Sequence, residues 1–238
     1  MKQLLVFLQG ITPRPIKTLL RRLGINRAIS WVMGKKTTEL AFQTAWAKTF
    51  KNNKALVLEY WQHLRSFDEI KTLVKCRDDM NVLDVGCGIS TVLHFVPGNR
   101  YGIDPLAESY KTLYDYPEEI TILEAGGEDL PFENGFFGLV FCTNVLDHVT
   151  DPRRTIDNIA RVLEKDGHFV LAVELFEDKP ERDAAHPHSL AKADVLELVQ
   201  DHFDIVFEKV TPWIGLRKYV DGIRTSEQDE VILVLRKR

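Results

Sequence analysis

Cysteine is scarce: Cys76, Cys87 and Cys142 are all the chain has, an odd number with no C-x-x-C pair and no paired-histidine spacing. That excludes a disulfide framework, leaves no local metal-ligand pattern, and suits a reducing cytosol. Long apolar runs are missing too, with nothing near the ~18 residues of a membrane span. Met1 to Leu8 begins like an export signal, but its apolar run Leu4 to Leu8 is short, Gly10 and Pro13 follow, and no small-residue cleavage site is present. Repeats, low-complexity segments and disorder-type composition are also lacking.

Acid is missing from one end. Residues 1 to 38 carry eight basic side chains (Lys2, Arg14, Lys17, Arg21, Arg22, Arg27, Lys35, Lys36) and no carboxylate, whereas the rest of the chain is strongly acidic. Within this arm Ile16, Leu19, Leu20 and Leu23 follow the i, i+3, i+4, i+7 spacing while Arg14, Lys17 and Arg21 point elsewhere, which describes an amphipathic helix with a cationic face. Residues 13–33 could lie on an anionic membrane, with Phe7, Trp31 and the leucines at the acyl boundary, or pack on the remainder of the chain. Nucleic acid is disfavoured, because no recognised nucleic-acid motif accompanies the arm. The expected location is cytoplasmic, with the inner face of the membrane as the peripheral alternative.

What is present is an ordinary globular composition, 45% hydrophobic and 28% charged over 238 residues, enough for one full core with an extension. Residues 13 to about 76 read as successive helices, with Phe42, Trp46, Phe50, Tyr60, Trp61 and Phe67 spread among them. From Met80 strands alternate with helices: strands near 80–85, 99–103, 119–124, 136–142 and 167–175, a helix Arg153 to Glu164 ended by Gly167, a helix Ala191 to His202, then strands Phe203 to Val210 and Glu230 to Arg236. The expected fold is α/β: a Rossmann-like, doubly wound, seven-stranded sheet, mostly parallel with an antiparallel last strand, plus an N-terminal helical cap. The expected division is 1–79 as arm and cap and 80–238 as the ligand-binding domain.

The stretch Val82 to Thr91, VLDVGCGIST, carries the most chemistry. Val82, Leu83 and Val85 suit a buried parallel strand, Gly86 and Gly88 let the next turn approach a ligand closely, and Ser90 or Thr91 could cap a helix through Phe95. A dinucleotide fingerprint would need a third glycine at Thr91, and Asp84 would crowd a pyrophosphate, so a nicotinamide cofactor is disfavoured; an amino-bearing cation suits the carboxylate better.

Here the chain resembles the class I S-adenosylmethionine-dependent methyltransferases, whose first motif, acid-x-Gly-x-Gly-x-Gly, is matched by Asp84, Gly86 and Gly88, with Cys87 between the glycines and Ser90 in place of the third. Asp104 in Tyr101 to Pro105, about 20 residues past the turn, matches the acid that binds a ribose hydroxyl pair. Ala125 to Phe132 and Phe136 to Pro152 resemble the third and fourth motifs. The resemblance implies S-adenosyl-L-methionine as cofactor, held by Asp84, Gly86, Cys87, Gly88, Asp104, Pro105, Gly127, Glu128, Asp129 and Asn144. Two positions depart from it. Gly126 stands where the family often has the acid for the adenine amino group, leaving Glu128, Asp129 or the backbone to take that part, and Gly138 replaces an aspartate that commonly begins the fourth strand.

Methyl transfer from a sulfonium is an in-line displacement, so the protein chiefly aligns the reactants and excludes water. An oxygen or carbon acceptor must still lose a proton, and His148, His186 and His188 are the candidate catalytic groups, with Asp147 and Glu174 behind them. Each has a bland reading as a structural, cofactor-lining or surface-loop histidine. Trp213, Arg217 and Tyr219 occupy the connection before the last strand, where acceptor contacts often lie. No asparagine-proline-proline-tyrosine motif follows the fourth strand, since Val145 and Leu146 follow Asn144. The expected activity is methyl transfer to a small-molecule, lipid-linked or glycan-type acceptor; the alternative is a methyltransferase-like binding module without turnover.

Overall fold

A computed structural model describes residues 34–50, 53–64, 66–180, 182–212 and 229–238. Three helices come first: α1 Lys35–Phe50, α2 Lys54–Leu64 and α3 Phe67–Val74. The strands are β1 Asn81–Val85, β2 Asn99–Ile103, β3 Ile120–Leu123, β4 Phe137–Thr143, β5 Leu163–Glu174, β6 Phe203–Pro212 and β7 Asp229–Lys237. Between them lie α4 Ala107–Lys111, α5 Pro152–Val162 and α6 Lys192–Val199. The sheet order is β3-β2-β1-β4-β5-β7-β6, with β7 antiparallel to both its neighbours and the other pairs parallel. This is the expected doubly wound sheet with its antiparallel last strand.

Successive strand residues feed opposite cores, as a pleated strand requires. Val82, Leu139, Phe141 and Val170 pack on one side with Trp46, Trp61, Phe67 and Ile70 of α1–α3. Leu83, Val140, Leu171 and Val173 pack on the other with Ile156 and Ile159 of α5 and Val195 of α6. Continuously apolar strands are the consequence of both faces being covered. The N-terminal aromatics form a chain of ring contacts, Phe42–Trp46, Trp46–Tyr60, Tyr60–Trp61 and Trp61–Phe67, at 5.4–6.4 Å between centroids. The first of these rings, Phe42, stays exposed.

Two boundaries differ from the sequence reading. Helix α5 starts where Asp151 accepts the Arg154 N–H and Pro152 opens the first turn, but it ends at Val162 and passes straight into β5. Gly167 therefore ends no helix; it follows Asp166, whose φ is +60°, at an irregular register within β5. After β1 only a single 3₁₀ turn forms, Val92–His94, capped by Thr91. The first core-facing residues there, Val92 and Leu93, are fully buried, and Phe95 leaves the helical path immediately. Gly138 has a packing explanation: a Cβ there would lie 2.9 Å from both Glu164 Oε1 and Met80 Cγ, so those two side chains occupy the space of the usual aspartate.

Candidate functional site

The glycine turn lies at the carboxyl end of β1, where ligands bind in sheets of this topology. Gly86 and Gly88 both have positive φ, +69° and +47°, and the Gly86 and Cys87 N–H groups donate to the Ile103 carbonyl. A Cβ on Gly86 would lie 2.3 Å from Val145 Cγ2, so this glycine permits β4's exit loop to close on the turn. Asp84 is buried; its Oδ2 accepts the Thr91 hydroxyl at 2.6 Å, which ties the end of β1 to the far side of the turn. Burial pushes the Asp84 carboxyl up to about 7 despite that bond. Cys87 is buried between the glycines, and burial raises its thiol well above the ordinary range, so it is an inert small side chain there.

Asp104 closes β2. Its carboxylate accepts the Gly88 N–H at 3.3 Å and the Leu106 N–H at 2.9 Å, while burial pushes it up to about 6. Pro105 beside it is exposed. On the next loop a Cβ at Gly127 would lie 2.9 Å from Thr155 Cγ2 and 3.1 Å from Val85 Cγ1, so a glycine lets α5 approach β1. At Gly126 the nearest atom to a hypothetical Cβ is Glu128 Oε2, at 2.9 Å. The Glu128 carboxylate thus folds back over the position where the family's acid would begin, and its Oε1 is anchored by the Thr150 N–H at 2.6 Å. Asp129 is exposed and donates its N–H to the Gly126 carbonyl. Asn144 leaves β4 with φ of +58°, and its N–H donates to Ala172 on β5.

The structure brings two of the three singled-out histidines together. The His148 and His186 rings lie 4.2 Å apart, next to the buried Asp147. Asp147 Oδ2 accepts from Arg182 at 2.6 Å, and the same guanidinium reaches Glu174 at 3.4 Å. His186 Nδ1 bonds Asp183 Oδ1 at 2.8 Å. Burial alone would lower the His186 imidazole, yet the Asp183 bond and the Asp147 charge leave it raised, and the imidazole in turn helps hold Asp183 down to about 2. His148 goes the other way: burial lowers it, though Asp147 and Glu39 oppose the shift. His188 stands apart, its Nε2 on the Val149 carbonyl at 3.0 Å and its N–H on Asp147 O, so it fastens the 180s loop to β4's exit.

Several site residues escaped the sequence reading. Glu39 of α1 puts Oε2 3.6 Å from His148 Nδ1; Gln43, one turn on, bonds Glu39 and covers Gly88. Trp61 of α2 donates its indole N–H to Ser90 O at 2.8 Å, and the Tyr116 hydroxyl donates to Gly88 O at 2.5 Å. No local pattern marks these, because each reaches the glycine turn or His148 from a distant element. Asp183 was findable, since it precedes His186 by three residues in a loop. Trp213, Arg217, Tyr219 and the amphipathic arm 13–33 lie outside the described residues.

Comparison with known proteins bears on the same segment. Residues 83–171 match the family model described as a methyltransferase domain. The uncharacterized methyltransferase YcgJ of Bacillus subtilis is 32% identical over 110 residues, 43% of each chain. A tRNA U34 carboxymethyltransferase of Campylobacter fetus is 30% identical over 135 residues, 53% of this chain and 48% of that one. These matches span about half the length of those relatives. In fold, the crystal structure of YcgJ superposes with a TM-score of 0.55 at 18% identity, covering 72% of this chain and 97% of that one. The complex of the Haloferax volcanii Trm112 methyltransferase activator with its candidate methyltransferase gives 0.56 at 16% identity, over 82% and 96%. Sequence match and sheet order agree: residues 83–171 carry a methyltransferase domain, on a fold shared with solved S-adenosylmethionine-dependent methyltransferases.

Proposed function

We propose that the protein transfers a methyl group from S-adenosylmethionine to a small-molecule, lipid-linked or glycan-type acceptor, with residues 1–79 serving as arm and cap to the domain 80–238. The observation that carries this reading is the pairing of two environments at one edge of the sheet: the buried Asp84 and Asp104 around the glycine turn, and the His148–His186 pair at the exit of β4. The cofactor supplies an electrophilic methyl on a sulfonium. Asp104, already presenting a carboxylate held by two backbone N–H groups, suits a ribose hydroxyl pair, and Glu128 suits the adenine amino group that Gly126 cannot meet. Asp84 braces the turn that receives the amino-acid end. Trp61 and Gln43, contacting the turn from α2 and α1, would help exclude water.

On the acceptor side, His148 and His186 supply polar groups where an acceptor hydroxyl would lose its proton. Glu39, Asp147, Glu174 and Asp183 surround them against Arg182, an acidic setting that repels a phosphodiester chain and favours a neutral or cationic acceptor. His186→Ala is expected to lower kcat by about 10²–10⁴-fold with S-adenosylhomocysteine affinity unchanged. Turnover assays with calorimetry check it, and loss of both together would move His186 to the cofactor side.

Calorimetric titration with S-adenosylhomocysteine, against NAD as control, tests the cofactor reading. A pH series adds a sharper check. Burial holds the free Asp104 carboxyl near 6, and a ribose diol binds its ionised form, so the Asp104 contribution to affinity is full above that value and falls as pH drops through it, by at most about tenfold per unit for one proton. Asp104→Asn is expected to flatten this acid limb.

A nucleic-acid acceptor is the second reading, favoured by the similarity to tRNA carboxymethyltransferases and by the basic arm. Labelled-methyl assays on total tRNA and on membrane lipid extracts separate the two. Label in tRNA that falls steeply with salt would establish the second reading.

A further inference from the structure

We infer that Asp147, His148 and His186 form a binding site for a divalent transition-metal cation of the Zn2+ type, at the acceptor end of the proposed active site. One ligand atom from each residue lies within 4.8 Å of the others. In a tetrahedral site ligands ~2.1 Å from one ion stand ~3.4 Å apart, so a pair at that limit closes by roughly 1.4 Å of side-chain adjustment.

Three features beyond proximity point to a cation. Asp147 is 1% exposed, and its Oδ1 is a buried carboxylate oxygen with no hydrogen-bond partner. It faces His148 Nε2 at 3.9 Å, while Oδ2 is held by Arg182, so one oxygen is fixed and the other is left for a ligand. Next, His186 carries a carboxylate behind its ring: Asp183 takes Nδ1 at 2.8 Å and is itself fastened by the Ala185 and His186 N–H groups, leaving Nε2 available. Carboxylate–histidine pairs of this kind orient imidazoles toward metals. Glu39 Oε2 stands 3.6 Å from His148 Nδ1, near the ring but beyond hydrogen-bond distance. Finally, four carboxylates surround two imidazoles and one guanidinium, a setting whose excess negative charge a dication would balance.

Two imidazoles with one carboxylate suit a borderline cation better than Mg2+ or Ca2+. With three protein ligands the ion keeps a position open for water or an acceptor oxygen, a use that rests on the proposed function; the site itself does not. Local spacing hid it, because the ligands come from two segments 38 residues apart, brought together by the return of the 180s loop onto β4's exit.

The test is calorimetry of the full chain after chelator treatment, titrated with Zn2+ and then with Mg2+, and Co2+ absorption to report the ligand set. One saturable Zn2+ site per chain is expected, with Mg2+ much weaker and a tetrahedral Co2+ spectrum. Asp147→Asn and His186→Ala should abolish it, and Asp183→Ala should weaken it by about 10–100-fold, all three with S-adenosylhomocysteine binding retained as the sign of a folded domain. No saturable Zn2+ binding in protein that binds S-adenosylhomocysteine, or binding indifferent to Asp147→Asn and His186→Ala, overturns the site. Zn2+ binding without S-adenosylhomocysteine binding would uphold the site and count against the proposed function instead.

Discussion

Asp104→Ala is expected to weaken S-adenosylhomocysteine binding by roughly 10²–10⁴-fold, the value of two hydrogen bonds from a diol to a charged acceptor at ~1.5–3 kcal/mol each. Calorimetry at pH 8 reads it directly, where the wild-type carboxylate is ionised. The same substitution removes the acceptor of the Gly88 and Leu106 N–H groups, so a companion variant is needed. Asp104→Asn retains one oxygen for that backbone and loses the charge, and an intermediate loss, about tenfold, is expected of it. Affinity unchanged in Asp104→Ala would remove this residue from the cofactor site.

The second large effect is on stability. Gly86→Ala is expected to cost about 2–4 kcal/mol, the sum of a left-handed conformation at φ +69° and overpacking against Val145, whose two γ-carbons lie 2.3 and 2.8 Å from the new Cβ. Urea unfolding measures it, and pairing the change with Val145→Ala separates the two causes. Trimming the γ-carbons should recover the packing part and leave the backbone part. A double variant as unstable as Gly86→Ala, once the cost of Val145→Ala is subtracted, would assign the whole effect to the backbone. A tolerated Gly86→Ala would mean that the turn relaxes, and with it the contact between β1 and β4's exit.

Fold class was legible because strand and helix periodicities act over short stretches. Leu139 to Cys142 and Phe169 to Val173 are apolar without interruption since both sheet faces are covered, and from Val82 to Val85 only Asp84 breaks the run. The end of α5 was misjudged for a tertiary reason: pairing of Phe137 with Leu163 draws the chain into β5 before Gly167 is reached. Periodicity contains no term for that pairing.

At the site the division is similar. Asp84, the glycine pair and Asp104 were legible as a linear motif, because a βαβ crossing places successive strand ends side by side at a regular sequence interval. Glu128 rather than Asp129 as the carboxylate over Gly126 was decided by the fold: Thr150 N–H, from another loop, holds one side chain and leaves the other exposed. Likewise, the sequence nominated three histidines equally, and only the packing of the 180s loop separated His148 and His186 from His188. The approach of Glu39, Gln43 and Trp61 belongs wholly to tertiary structure, because covering the apolar face of β1 and β4 brings α1 and α2 over the turn. What the sequence by itself determined was the strand order's raw material and the cofactor-type motif, both encoded in neighbours along the chain. Which charges meet across that motif was decided only when burial of the two apolar sheet faces folded distant segments onto one edge.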